Sequence, residues 1–514
     1  MGNSADHKIC FDLSKYYHDL RVAVYQGDNF YLESPPFNPH LAYPEYIFTE
    51  EISNVINPGY EAIRNCFKLL GFDCRNLGSP RWNPLRDFVQ PGDKVVLKPN
   101  FVLSSHAEGG NLFSIITHPS MIRAVIDYTF KALDGQGEII IADAPQMDCN
   151  FEQLLEKTGL ASIQELYWNR GKFEIKILDL RDFWLDLGTN KTGAFVGRRR
   201  KLTGDNLGSV VINLGRRSEF YTLNNSQNYY GADYNREETI RHHSGEVQRY
   251  MVSRTMLDAD VVIMVPKLKV HKKVGVTLGG KGLVGINTNK NYLVHYTLGT
   301  PSSGGDQFPD EFLDFKENFI VKAQRALYDL LLARRNRVLD AAYLGVRHIY
   351  KNFFKGVLGE VDKKKAILDG GNWYGNDSAW RMVSDLMKIM MYADRDGHLN
   401  DSPQRRIFTL IDGVIAGEGN GPLVPTEKRA GVVIAGLNPL ATDIVGTRMM
   451  GFDWQKLKYT VNLLENKDFE FYVDDVKRIR VLSNIPEWQN IFEENDRLLA
   501  FAPHPGWVGH VEIS

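Results

Sequence analysis

The run Asp260-Val261-Val262-Ile263-Met264-Val265-Pro266 constrains the fold more than any other feature of the chain. A continuous apolar stretch rich in β-branched residues and closed by proline is too short for a helix. It also lacks the polar alternation of a strand with one wet face. It reads as a strand buried on both faces, which implies a parallel sheet covered by helices. Two shorter runs have the same character: Lys94 to Lys98, ended by Pro99-Asn100, and Glu138 to Asp143. Between them His118-Pro119 opens a helical pattern through Met121, Ile122, Val125, Ile126 and Leu133, closed by Gly135-Gln136-Gly137. Proline is well placed there, because the first helical turn needs no N–H from it. Strand, helix and strand in this order predict a right-handed parallel crossover.

Further strands are predicted at 210–214, 407–415 and 432–436, and helices over 46–70 (stopped by Gly71), after Asp377 and over 439–450. Residues 215–250 read as polar and irregular. Strand patterns stop near Gly285 and resume near Ile407. Residues 301–404 are therefore expected to be a mainly helical insertion covering the carboxyl edge of the sheet, with a long basic amphipathic helix over 319–358. The expected fold is α/β and Rossmann-like, with a largely parallel sheet and helices on both faces. Its expected segments are 1–93 packing on the core, 94–300 as the α/β core, 301–404 as the insertion and 405–514 completing the core.

Composition removes several function classes. Lys plus Arg number 61 and Asp plus Glu 63, a net charge of −2, and no nucleic-acid-binding motif is present, so nucleic acid is not an expected partner. The 27 Phe, 23 Tyr and 8 Trp argue against disorder. The four cysteines, Cys10, Cys66, Cys74 and Cys149, form no CxxC pair, so neither an iron–sulfur cluster nor a structural zinc site is expected. Sparse cysteine, the lack of a secretory h-region and the lack of any apolar run approaching ~20 residues lead to the expectation of a cytoplasmic protein without a transmembrane segment. The basic helix 319–358 reads either as a solvated face or as a peripheral membrane contact.

In open parallel sheets ligands bind beyond the carboxyl ends of the strands. Polar residues follow four predicted strands there: Lys98 and Asn100; Asp143; Lys267, Lys269 and His271; Asp412, Glu418 and Asn420. The loop 275–285 adds glycines and Lys281, and its backbone N–H groups are expected to approach an anion. It is not a Walker A loop, because Gly282 follows the lysine. Asp412 and Glu418 could hold a divalent cation or act as bases, or serve only as turn residues. The loop 370–377, with Asn372 and Asn376, is expected as a substrate-touching pocket wall. His242 and His243 read as ordinary surface or core histidines.

KVVLKPNFV (94–102), THPSMIRAVID (117–127), IIIADAPQ (139–146), DADVVIMVPKLKVHKKVGVTLGGKGLVG (258–285) and LIDGVIAGEGNGP (410–422) resemble the bacterial and archaeal family called domain of unknown function 362. The stretch 370–394 looks like a longer subgroup met beside polysaccharide or cell-envelope genes. Some members carry a Cys-rich ferredoxin module, whose cysteines are missing here. The order His271, Gly279-Gly280-Lys281, Gly285-Ile286, His295 is similar to the nickel-pincer lactate racemase family. That resemblance implies Lys281 as the cofactor-attachment lysine, His271 as a catalytic histidine and His295 as a metal ligand. Asp143 falls near the place of that family's strand-end histidine.

Two functions follow as expectations. The first is an enzyme, isomerase- or racemase-like or metal-dependent, acting on an anionic small molecule. Lys98, Asn100, Lys267, Lys269, Asn372 and Asn376 would bind the substrate, and His271, Lys281 and Asp143 would be catalytic. His295, Asp412 and Glu418 would hold a metal such as nickel or magnesium. The second is a non-catalytic anion-binding or regulatory module of an envelope-polysaccharide pathway, docking through 319–358.

Overall fold

The structure is a computed structural model that describes residues 12–186, 198–233, 235–312, 367–495 and 497–513. The expected helix 319–358, and with it much of the proposed insertion, lies outside the described residues.

Eleven strands form the main sheet. They are β1 (Arg21–Gln26), β2 (Lys94–Pro99), β3 (Glu138–Asp143), β4 (Ile175–Asp179), β5 (Val261–Val265), β6 (Lys267–His271), β7 (Gly275–Val276), β8 (Arg406–Glu418), β9 (Thr426–Lys428), β10 (Val432–Gly436) and β11 (Arg480–Ser483). The order across the sheet is β11-β1-β10-β8-β5-β2-β3-β4. Strands β8, β5, β2, β3 and β4 run parallel, while β10 is antiparallel to both of its neighbours, β1 and β8. The chain steps outward from β2 to β3 and β4 on one side and from β5 to β8 on the other. The order therefore reverses between β2 and β5, where a doubly wound sheet opens to ligands.

Alternation along the strands divides the core in two. Val95, Leu97, Ile139, Ile141, Val261 and Ile263 face one layer, with helices α1 (Pro58–Leu69) and α2 (Pro119–Leu133). Val96, Ile140, Val262 and Met264 face the other, with α4 (Ala379–Tyr392) and α5 (Pro439–Met449); the short helix α3 (Leu278–Gly282) packs there too. A side chain of this kind contributes ~1.5–3 kcal/mol when fully buried, so covering both faces is what holds the sheet. The fold is α/β, as the apolar runs predict.

The local signals of α2 are used as expected. His118 caps it by accepting the Ser120 N–H, Pro119 takes the first position, and Asp134 in left-handed backbone ends it. Two expectations need correction, the start of the helix over 46–70 and the irregular stretch 215–250, while the 210–214 strand is present. The helix over 46–70 begins only at Pro58, because Asn57 caps it by accepting the Tyr60 N–H and the residue before a proline is driven out of helical backbone. The 210–214 strand exists as Ser209–Asn213, but it pairs with Val247–Ser253 in a separate three-stranded sheet. The stretch 215–250 also contains the helix Arg236–His242 and the strand Tyr229–Gly231, so it is not irregular. No helix among the described residues is long and apolar enough to cross a membrane.

Candidate functional site

A cavity of about 290 Å³ opens beyond the carboxyl ends of β2, β3 and β5. Asn100 reaches it from the end of β2, Asp143 from β3, and Lys269 and His271 from β6, the continuation of β5. Thr277, Lys281 and Gly285 come from the Gly-rich segment, and Lys290, His295 and Tyr296 from the stretch that follows.

The Gly-rich segment is shaped by a carboxylate of the protein itself. Asp443 on α5 accepts the Gly279 N–H through Oδ1 and the Gly280 N–H through Oδ2, each at 2.8 Å. The Tyr459 hydroxyl donates to Oδ2 at 3.1 Å. A Cβ on Gly279 would lie 2.9 Å from Asp443 Oδ1, so glycine is what allows this approach. The expectation that these N–H groups hold an external anion is therefore corrected: an internal anion occupies them. Its effect is to fix α3 and to aim Lys281 into the cavity. Burial raises the Asp443 carboxyl to about 6.

The two histidines carry opposite tautomers. The Lys273 N–H donates to His271 Nδ1 at 3.1 Å, which leaves the imidazole proton on Nε2. His295 Nδ1 lies 3.1 Å from the Leu293 carbonyl, which can only accept, so Nδ1 carries the proton and Nε2 keeps its lone pair. Burial, and then the Lys281 charge, hold both rings well below the usual histidine range, so both are neutral. The site thus presents one N–H donor and one basic nitrogen.

Five lysines line the cavity: Lys269, Lys272, Lys273, Lys281 and Lys290. Lys269 donates to the carbonyls of Ile115 and Pro422, Lys273 to that of Gly370, and Lys290 to those of Ala144, Val284 and Asn287. Among the described residues Lys281 Nζ has no hydrogen-bond acceptor. Burial lowers Lys273, Lys281 and Lys290 each to about 7. Two further donors on the wall, Thr277 Oγ1 and Asn100 Nδ2, are buried without a partner. The one carboxylate on the wall is already engaged. Asp143 accepts Lys98 Nζ through Oδ1 and the Phe101 N–H through Oδ2, both at 2.8 Å.

Several sequence candidates stand elsewhere. Lys98 is not on the wall; its ammonium is held by Asp143 and the Pro99 carbonyl. Lys267 and Asp412 sit opposite each other in the β6–β8 register and form a separate buried network. There Asp412 accepts the Tyr31 hydroxyl at 2.5 Å, the His118 N–H at 3.0 Å and Lys267 Nζ at 3.0 Å. An irregularity in the register between Lys267 and Lys269 gives these two lysines different surroundings despite their spacing. Glu418 ends strand β8 and is bound to Lys428 and the Ala502 N–H. Asp412 and Glu418 are each paired with a lysine, Lys267 and Lys428, and among the described residues no group of three or more His, Cys, Asp or Glu is placed to hold a metal ion.

The asparagines are structural as well. Asn376 Oδ1 accepts the Ser378 and Ala379 N–H groups, capping the start of α4. Its Nδ2 supports the His295 carbonyl, at 3.1 Å, so the 370–377 loop braces the cavity from behind. Asn372 Nδ2 closes a turn onto the carbonyls of Ile367 and Asp369.

Lys272, Lys273, Thr277 and Lys290 were not among the sequence candidates. The first two directly follow His271, and that adjacency was the available signal. Thr277 lies inside the Gly-rich loop 275–285, which is its signal, and Lys290 carries none. Asp143, near the place of the racemase family's strand-end histidine, has both oxygens occupied.

Searches of curated proteins and of solved structures returned no match. The profile of a family described as domain of unknown function (DUF362) matches residues 95–171 and 203–448, more than half of the chain, in agreement with the resemblance of the 94–102, 258–285 and 410–422 motifs. The chain belongs to the DUF362 family.

Proposed function

We propose that the protein is an enzyme that binds a small carboxylate or phosphate compound in this cavity and moves a proton on it. The observation that carries the reading is a set of donors on the lining residues: Thr277 Oγ1 and Asn100 Nδ2, buried without a partner, and Lys281 Nζ, which has no acceptor among the described residues. Unsatisfied buried polar groups cost ~1–3 kcal/mol each, and an anion accepting from Thr277 and Asn100 removes that cost while meeting the Lys281 charge. Its charge also restores the protons that burial strips from the lysines. His295 Nε2 is the base and His271 Nε2–H the donor that polarises an oxygen of the bound molecule.

Calorimetric titration of the full-length protein with inorganic phosphate and with malonate tests this. We expect binding to a single site, weakened at least tenfold in Lys281→Gln and measurably in Thr277→Val. Failure of the unmodified protein to bind either anion removes the reading.

A further inference from the structure

We propose that Lys281 is an imine-forming residue, whose Nζ condenses with the carbonyl group of a small 2-oxo acid held in the cavity. This rests on the anion-site reading above and names the substrate class for it.

Lys281 differs from the other buried lysines around the site, and from half-buried Lys272, which also makes no side-chain hydrogen bond among the described residues but feels the charge of Asp369. Lys98, Lys267, Lys269, Lys273 and Lys290 are each tied to a carboxylate or to main-chain carbonyls. An amine whose nitrogen is anchored to such acceptors is held on them and is not free to approach a carbonyl carbon in the cavity. Lys281 has none among the described residues, and no carboxylate contributes to its titration. It lines the same cavity as Lys269, His271, Lys273, Lys290 and His295, and its charge lowers the pKa of each. A desolvated lysine among other cations is the setting in which an amine is nucleophilic near neutral pH. The amine is also held in place from behind, because Asp443 fixes the two residues that precede it.

The cavity contains the other groups the reaction needs. The carboxylate of the oxo acid would be taken by Thr277 Oγ1, Asn100 Nδ2 and the neighbouring ammonium groups. The carbonyl oxygen would accept the His271 Nε2–H, making its carbon electrophilic. The Nζ lone pair forms the C–N bond while the carbonyl π pair moves to oxygen. His295 Nε2 takes one proton from the new C–N nitrogen and returns it to that oxygen, giving the carbinolamine. The nitrogen lone pair then expels the hydroxyl, and the second amine proton reaches it by the same route. Both amine protons leave on the former carbonyl oxygen as water, and no oxidant or reductant is required.

Trapping tests the inference. Full-length protein is incubated near neutral pH with pyruvate and sodium cyanoborohydride, with and without inorganic phosphate, and the labelled lysines are identified by peptide mass mapping. We expect the reduced adduct on Lys281 to form at least tenfold faster than on surface lysines, and phosphate to suppress it. Lys281→Arg, checked for folding by circular dichroism, should lose the selective adduct and bind phosphate better than Lys281→Gln. Labelling of Lys281 no faster than of surface lysines, in a protein that does bind phosphate, overturns the imine and leaves the anion site standing. Phosphate that neither binds nor protects overturns the anion-site reading, and with it the proposal as framed.

Discussion

Gly285 stands against Asp143 so closely that a Cβ on the glycine would lie 1.8 Å from Asp143 Oδ1, and 2.5 Å from Lys98 Nζ. The missing side chain is the space in which the buried Lys98–Asp143 pair fits. Gly285→Ala should separate the two charges without removing either. Disrupting a buried pair costs ~3–5 kcal/mol, and a loss of that order is expected in urea unfolding. A loss under about 1 kcal/mol would show that the pair simply shifts to make room.

The Lys267–Asp412–Tyr31 network should behave as a stabilising element that the ligand does not touch. Asp412→Ala leaves a buried ammonium without its counter-charge, held only by the Tyr31 hydroxyl, and a destabilisation of about 3–5 kcal/mol is expected. The double variant Lys267→Met with Asp412→Leu should recover most of it, since two matched apolar groups replace two charges. Phosphate affinity of the folded double variant, measured by calorimetry, should equal that of the parent. A tenfold loss there would return Lys267 to the binding site.

Asp443 gives a pH signature. Its carboxyl titrates at about 6 in the folded protein, raised by burial above the ordinary carboxyl range, so between about 4 and 6 the folded state holds a proton that the unfolded chain has lost. This group's contribution to stability therefore falls as pH rises through that window, by about 3 kcal/mol in total, and is constant above it. Asp443→Asn should flatten that part of the profile. Unfolding curves of both proteins between pH 4 and 7 that run parallel would contradict the assignment.

The lysines titrate with the opposite sign. Lys273, Lys281 and Lys290 are lowered by burial to about 7, so above that pH the unfolded chain binds more protons and stability climbs toward the ordinary lysine range. A bound anion holds these groups charged. The rise in melting temperature produced by phosphate should thus be larger at pH 6.5 than at pH 8.5, in differential scanning calorimetry. An increment independent of pH would mean that phosphate does not meet these lysines.

The parts of the fold legible in the sequence are those whose partners lie close in the chain or whose burial is complete. Strands β2, β3 and β5 are announced by apolar runs, and α2 by its own cap and proline. Strand β1 is not legible, because Arg21-Val22-Ala23-Val24-Tyr25-Gln26 is short, polar at both ends and partnered by β10 and β11, far along the chain. The same distance hides the site's support. Nothing near Gly279 indicates that Asp443, 164 residues away, accepts its N–H. The strand-end rule brings Asn100, Asp143, Lys269, His271 and Lys281 to the right edge. It cannot tell a lysine facing the cavity from one, like Lys267, whose counter-charge lies directly across the register.

The position of β1 has a consequence for how the protein is made. Strand β1 leaves the ribosome early, yet its neighbours on both sides are β10 and β11, the nearer of them synthesised about 400 residues later. At ~5–20 residues per second that interval is roughly 20–80 s, during which Val22, Ala23 and Val24 belong to a strand with neither edge paired. The nascent chain must therefore carry an unpaired sticky segment through most of its synthesis, which makes β1, rather than the lysine-lined cavity, the place where chaperone capture or premature aggregation would begin.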